Sequence, residues 1–296
     1  VFDFLVLWIL PVGLLLLLSA LFFVGNRNVL HRIVYILFSV PTLFLLLMRP
    51  RELKDLLREP LAIAFLSFSV WALTSLLWSP EPSSDTDLFK RPLNTFMLFG
   101  GCGLLLHYRN ELFKPIFFSA AIIALVVSLG NVVAFAKVFQ PGMRMIGGLG
   151  ALDNPLLSSH LFGFFTVYWL YVCMTTQRLK VLWFSVPALA IMTAAVLATG
   201  SRTPLVALTL SILWMSFVSR NRRSALLLSG MVLGAAALLL LYPESITERG
   251  SSFRLELWSM SLRLISEHPW LGHSYDSELF LTLPDGDQLR EPHSFA

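Results

Sequence analysis

Charged residues are scarce in this sequence: Asp, Glu, Lys and Arg make up 14% of its 296 residues, whereas 56% are hydrophobic. So low a charge together with so much apolar sequence argues against a soluble globular domain, in which about a quarter of the residues are charged on average. Apolar runs of about 17–25 residues recur along the chain, and a run of that length crosses a bilayer as a helix. The sequence therefore predicts a polytopic integral membrane protein.

Cysteine is rarer still, since Cys102 and Cys173 are the two in the chain and both lie within apolar runs. Their position argues against a disulfide and against a cysteine-based metal site. The first apolar run, residues 1–24, is longer and less interrupted than the apolar part of a cleaved signal peptide. The chain stops within a polar stretch, and we expect further spans after residue 296.

The apolar runs predict an all-α fold, because nothing shows the alternation of a membrane barrel and the backbone of a spanning segment must be satisfied within the bilayer. We expect a transmembrane helical bundle over residues 1–242 and a polar loop over residues 243–296. The bundle is predicted to contain nine spans, at residues 2–24, 33–48, 61–78, 93–106, 115–139, 155–175, 181–199, 203–219 and 224–242.

Basic residues in the short loops predict the orientation. The loops at residues 49–59, 107–114, 176–180 and 219–223 fall on one side and carry eleven of the 22 Lys and Arg residues. Short loops rich in Lys and Arg stay in the cytoplasm. Residues 243–296 are therefore predicted to face outward, away from the cytoplasm.

Arginines on the predicted outward side need a separate explanation, because the orientation rule disfavours them there. Arg202 lies in a short turn before Thr203-Pro204, where a helix start would add free N–H groups to the guanidinium. Arg144 lies in the glycine-rich segment QPGMRMIGGLGALDNP. Arg254 opens a segment whose Trp258 and other apolar residues recur at helical spacing, as in an amphipathic helix at a membrane interface. Together these three arginines indicate a phosphate site on the outer face.

The same segments resemble a known family. An arginine in a glycine-rich outer loop is followed in order by TGSRTPL, SFRLELW, HPWLGHSYD and PHSFA. This order resembles the O-antigen ligase superfamily, which includes O-antigen ligases, O-antigen polymerases and protein O-oligosaccharyltransferases. The resemblance covers residues from about 140 to the end, and the sequence stops three residues after His293, before the rest of that histidine motif.

The resemblance implies a function and a site. Members transfer a glycan from undecaprenyl diphosphate to an acceptor hydroxyl on the periplasmic face, without a metal or other cofactor. Carried over by motif, Arg144, Arg202 and Arg254 would bind the donor diphosphate and His293 would be the catalytic histidine. Ligation of O-antigen onto lipid A-core is the favoured reaction, because the outward loop is short and rich in arginine. Polymerisation and protein glycosylation stay open.

Two other patterns could suggest a metal site. His268 and His273 are five residues apart, separated by a proline and a glycine, so they share no helix face. Asp285 and Asp287 form an Asp-Gly-Asp sequence, but nucleotide sugars are cytoplasmic and LPDGDQ is typical of a turn. We therefore expect neither pair to bind a metal.

Other functional classes remain possible. A transporter or flippase for an anionic lipid-linked substrate would also use membrane arginines and a helix broken at Gly200-Ser201. It would, however, carry charges near the membrane midplane and an inverted repeat, and the sequence shows neither. A scaffold component of an envelope machine would leave the outward arginines unexplained.

Overall fold

The structure is a computed structural model that describes residues 1–79, 87–140, 143–147, 152–201, 203–219, 229–230, 254–274, 281–282 and 288–289. The described residues are overwhelmingly helical, which confirms the predicted fold class. The helices are α1 (Phe2–Phe22), α2 (Asn28–Met48), α3 (Pro50–Leu56), α4 (Pro60–Thr74), α5 (Asp87–Arg109), α6 (Phe113–Val138), α7 (Pro155–Thr175), α8 (Leu179–Ala198), α9 (Thr203–Ser219) and α10 (Arg254–Glu267).

Strand structure among the described residues is confined to one short antiparallel pair. Strand β1 (Leu281–Thr282) pairs with β2 (Gln288–Leu289), with Leu281 opposite Leu289. The pair brackets Asp285 and Asp287, which lie outside the described residues. The turn predicted from LPDGDQ therefore stays a prediction.

Six helical stretches in the described part of the chain are long and apolar enough to cross a membrane. One of them, Leu88–Val138, has 51 residues and contains two of the predicted spans. These spans are separated by a short 3-10 helix at Asn110–Leu112. The shorter apolar helix Thr203–Val218 corresponds to the eighth predicted span. The ninth lies outside the described residues except for 229–230, so the count of nine stays a prediction.

The second helix begins earlier than hydropathy predicts. Asn26 caps it by accepting a hydrogen bond from the Asn28 N–H at 2.8 Å. The helical segment Arg27–Val34 therefore includes Arg32, which the sequence places in a loop. A polar first turn lowers the hydropathy of a span without preventing the helix, because the cap satisfies an N–H group at its start.

The chain divides into two compact units, one formed by Val1–Pro41 and Leu104–Ala237 and the other by Thr42–Gly103 and Leu238–Ala296. The predicted boundary near residue 242 is a different kind of division, between membrane bundle and loop, and it stays a prediction.

Small residues bring the helices of the first unit close together. Ala120, Ala121 and Ala124 of α6 are fully buried. At Gly13 of α1, an added Cβ would lie 2.4 Å from the Leu37 carbonyl oxygen of α2. Helices within a membrane associate where small residues permit close backbone approach, because lipid provides no hydrophobic drive. The core is completed by large side chains from α1, α7 and α8: Phe22, Phe162, Phe165, Trp169 and Met192.

The second unit uses the same principle in α2 and α5. Leu45 and Leu46 of α2 are buried. A Cβ added to Gly100 of α5 would lie 3.0 Å from the Leu46 side chain. Phe65 of α4 meets Phe99 of α5 edge to face, with ring centroids 5.6 Å apart. These contacts account for the packing of α2, α4 and α5.

Large apolar side chains cover much of the described surface. The side chains of Trp8, Trp183 and Trp214 are 64%, 75% and 68% exposed. In a soluble protein such a surface would aggregate, whereas lipid accepts it. The exposed apolar surface agrees with a helical bundle that lies within a membrane.

Candidate functional site

A short segment of the glycine-rich loop, residues 143–147, lies against the C-terminal end of α8. The Met145 N–H donates to the Ala198 carbonyl oxygen at 2.9 Å. Beside it, the Arg144 Nε–H donates to the Thr199 carbonyl oxygen at 2.8 Å. Met145 is buried and Arg144 is half-buried. The loop is therefore attached to the helix by adjacent backbone and side-chain hydrogen bonds.

The end of α8 forms a sharp turn at Gly200. The Gly200 N–H donates to the Leu197 carbonyl oxygen at 2.9 Å, and Gly200 has a φ of 64°, which favours glycine. The Thr199 hydroxyl donates to the Val196 carbonyl oxygen at 2.7 Å. Thr199 and Ser201 are buried, so the turn is packed against the protein. The seventh predicted span therefore ends where the sequence indicates, just before the short turn that precedes Thr203-Pro204.

The helix after this turn starts at Thr203, as predicted, with Pro204 in its first turn. Gly163 of α7 lets this start approach closely, since a Cβ at that position would lie 3.0 Å from the Pro204 side chain. Proline suits the first turn of a helix because the N–H it lacks has no intrahelical partner there. Residues 143–147 thus contact the end of α8, and α7 contacts the start of α9, so both ends of the turn are held in place.

A second set of contacts holds the other end of the 143–147 segment. The Gly147 N–H donates to Ser158 Oγ at 2.9 Å, and Asn131 Nδ2–H donates to the Gly147 carbonyl oxygen at 2.8 Å. A Cβ on Gly147 would lie 2.7 Å from the Phe162 ring. Residue 147 therefore has to be glycine in this geometry. Contacts with α6 and α7 together determine the position of the segment that carries Arg144.

The electrostatics of this region favour a cation at Arg144. The carbonyl groups at a helix C-terminus carry a partial negative charge, and the Arg144 guanidinium lies against the last of them in α8. The start of α9 supplies the opposite partial charge a few residues later. The Arg144 side chain at the turn and the helix N-terminus that follows both carry positive charge, a combination suited to an anion.

The structure describes some of the predicted site residues and not others. Arg144 contacts Thr199, three residues before Arg202, so the structure brings the Arg144 side chain to the turn that contains Arg202. Arg202 itself lies outside the described residues. Arg254 is the first residue of α10, but its side chain lies outside them. His293 lies outside them too, so its catalytic role stays a prediction.

Helix α10 has the predicted amphipathic pattern. Trp258, Leu262 and Ile265 are 60%, 65% and 58% exposed. The helix ends at Glu267 and the chain turns at Gly272, whose N–H donates to the His268 carbonyl oxygen at 2.9 Å. The helix therefore ends immediately before the HPWLG sequence. Its exposed apolar face is consistent with a position at a membrane interface.

His268 and His273 lie closer together than their spacing predicts. Their rings meet edge to face with centroids 4.7 Å apart, because the turn at Gly272 folds the chain back. His273 Nε2 is 2.9 Å from the Leu264 carbonyl oxygen and bonds to it. Within the described ranges, no group of three His, Cys, Asp or Glu side chains is placed to bind a metal. Metal independence stays a prediction.

Sequence reasoning missed the residues that hold the arginine loop in place. Asn131 lies within a predicted apolar span, where a polar side chain calls for a partner, and this signal could have identified it. Ser158 lies one turn into α7 and looks like an ordinary helical serine. Thr199 accepts the bond through its backbone carbonyl, which every residue type has, so its side chain gives no signal.

Comparisons with known proteins identify the family of this chain. A family model described as O-antigen ligase matches residues 187–296, from the middle of α8 onward. A curated relative named O-antigen ligase, from Pseudomonas aeruginosa, is 40% identical over 287 residues, which cover 97% of this chain and 71% of the relative. No solved structure matches the chain. An identity of 40% over nearly the whole chain, together with the apolar helical fold, establishes the family: this protein is a polytopic membrane protein of the O-antigen ligase family.

Proposed function

We propose that the protein transfers a glycan from undecaprenyl diphosphate to a hydroxyl of lipid A-core on the periplasmic face of the inner membrane. The observation that carries the proposal is the hydrogen bond from Arg144 Nε to the Thr199 carbonyl oxygen, at 2.8 Å. It joins a glycine-rich loop to the turn that contains Arg202. The name of the Pseudomonas aeruginosa relative supports the reaction class.

The two arginines suit a diphosphate. A guanidinium keeps its charge at any physiological pH and presents a planar set of donors that matches phosphate oxygens. The bond from Nε fixes the orientation of Arg144, and a fixed donor costs little reorganisation when negative charge develops. Arg254, at the start of an amphipathic helix, is the third proposed diphosphate ligand.

The proposed reaction is a direct displacement at the anomeric carbon of the donor. The acceptor hydroxyl oxygen forms a bond to the anomeric carbon while the bond between that carbon and the diphosphate oxygen breaks. His293 takes the hydroxyl proton, and the electron pair of the broken bond leaves with undecaprenyl diphosphate. The arginines stabilise the charge that develops on this leaving group. No step requires a metal.

The lipid donor explains why the arginines lie at helix ends. A polyprenyl chain stays within the bilayer, and its diphosphate lies just above the acyl region. The turn between α8 and α9 joins two apolar helices, so it lies at a membrane surface. A diphosphate at that depth would be within reach of arginines in the turn.

A reconstituted assay tests the proposal. Purified protein in proteoliposomes receives an undecaprenyl diphosphate-linked glycan and lipid A-core, and the products are separated on a gel. We expect capped lipid A-core and an equal amount of released undecaprenyl diphosphate. Longer lipid-linked glycans without capping would indicate a polymerase. A glycan moved across the bilayer without bond cleavage would support the transporter and contradict the proposal.

A further inference from the structure

A groove of about 590 Å³ opens on the surface of the first unit, between the start of α6 and the last turns of α7. Its walls are mainly aromatic, and one cationic side chain, Lys114, lies among them. The groove lies at the opposite ends of these helices from Asn131 and Ser158. It is therefore separate from the arginine site.

Ring contacts hold the aromatic wall in place. Phe113 stacks on Phe117 with centroids 6.1 Å apart, and Phe117 contacts Phe164 at 6.2 Å. Phe118 meets the buried Trp169 at 6.3 Å. Aromatic pairs at such distances are favourable beyond their buried area. The groove is consequently formed without a ligand, as binding pockets for small amphiphiles generally are.

The position of Lys114 gives the groove a polar end. Lys114 is exposed and stands in the first turn of α6, where the helix N-terminus adds a partial positive charge. Tyr168 and Tyr171 line the same groove, and tyrosine is enriched where a membrane meets water. The polar loops next to both helix ends are those predicted to be cytoplasmic, so the groove runs from that surface into the apolar region.

The shape of the wall favours a lipid over a protein helix. Helices associate in membranes through small residues that permit close backbone approach. Among the described residues that line the groove, none is Gly, Ala, Ser or Thr. The bulky rings that line the open groove instead suit a flexible acyl chain, which fits between side chains without needing a flat surface.

We propose that this groove binds an anionic phospholipid of the cytoplasmic leaflet, with an acyl chain between the rings and the phosphate group at Lys114. The charge of the site matches an anionic headgroup. The inference does not depend on the proposed transfer reaction, because the groove shares no residue with the arginine site.

Native mass spectrometry of the purified protein tests this site. The probes are phosphatidylglycerol and phosphatidylethanolamine with the same acyl chains, added to wild type, Lys114→Gln and Lys180→Gln. Lys180 is an exposed lysine on the same predicted side that does not line the groove. We expect wild type to retain more phosphatidylglycerol than phosphatidylethanolamine. Lys114→Gln should retain about fivefold less phosphatidylglycerol than wild type. Lys180→Gln should match wild type.

A second variant tests the acyl-chain part of the groove. Phe118, 48% exposed, forms part of the wall, so Phe118→Ala should lower the retention of both lipids by similar factors. Thermal unfolding in detergent checks that each variant is folded. Equal phosphatidylglycerol retention in Lys114→Gln and Lys180→Gln would overturn the proposal. So would a wild-type dimer that is lost in Phe118→Ala and unaffected by either lipid, because the occupant would then be a second copy of the chain.

Discussion

The Arg144 guanidinium and the Thr199 carbonyl group are joined by a 2.8 Å hydrogen bond across 55 residues of sequence. Thr199 lies at the end of α8, and Arg144 lies in a loop between α6 and α7. The bond therefore links three consecutive membrane helices at one end. It also brings a permanent charge to the turn that contains Arg202.

Replacing Arg144 with lysine tests whether this bond orients a catalytic cation. Arg144→Lys keeps the charge but has no Nε–H to donate to Thr199 in the same geometry. We expect transfer to fall by about 10²–10³-fold, as when one preorganised donor is removed. Arg178→Lys makes the same change at an exposed loop position and should leave transfer unchanged. Equal activity in the two variants would remove Arg144 from the donor site.

Donor binding separates the roles of Arg202 and His293. Arg202→Lys loses bidentate contact with the diphosphate, so both binding and transfer should weaken, the latter by about 2–4 kcal/mol of transition-state stabilisation. His293→Ala should abolish transfer and leave binding unchanged, because a base is needed only when the acceptor attacks. Binding of an undecaprenyl diphosphate analogue to both variants is the measurement. Full transfer by His293→Ala would end its catalytic assignment.

Gly147→Ala tests whether the loop must lie against α7. The added Cβ would lie 2.7 Å from the Phe162 ring and 2.8 Å from the Ser158 Cβ, so the loop or the ring must move. We expect a loss of about 1–3 kcal/mol in stability, typical of overpacking, and reduced transfer. Gly130→Ala is the control, since a Cβ there meets nothing within 4 Å. Wild-type behaviour of Gly147→Ala would contradict the loop geometry.

Cysteine labelling tests the predicted orientation. Cys102 and Cys173 are replaced by serine, and single cysteines are introduced at Asn221 and Asp285. In whole cells whose outer membrane has been made permeable, an impermeant thiol reagent should label the cysteine at 285 and not the one at 221. The reverse labelling would place the polar residues 243–296 in the cytoplasm and would contradict the proposed donor site.

Chelation tests the predicted metal independence. Transfer by the purified protein should be unchanged in EDTA, because arginines supply the charge stabilisation that a cation would otherwise provide. If activity disappears in EDTA and one divalent cation restores it, the metal independence prediction is wrong. The adjacent rings of His268 and His273 would then be the first candidates for ligands.

The sequence was sufficient to predict most of the described membrane helices, because a segment within lipid must satisfy its own backbone and its hydropathy is a local property. It did not predict the start of α2 or the short helix α3. It also predicted where α7 and α9 begin, since Asn154-Pro155 and Thr203-Pro204 are local start signals. The end of α8 could also be predicted, because helices often end at a glycine in the left-handed conformation and Gly200 follows the apolar run.

Tertiary structure alone decided how these helices face one another. Helices α6, α7 and α8 are apolar around their whole circumference, so periodicity marks no preferred face, and shape complementarity between alanines and aromatic rings selects the packing. That packing brings Asn131 and Ser158 to Gly147 and the Arg144 side chain to Thr199. The sequence identified Arg144 as a candidate by its charge, and the contact with a backbone carbonyl 55 residues away exists only because three helices meet at one end.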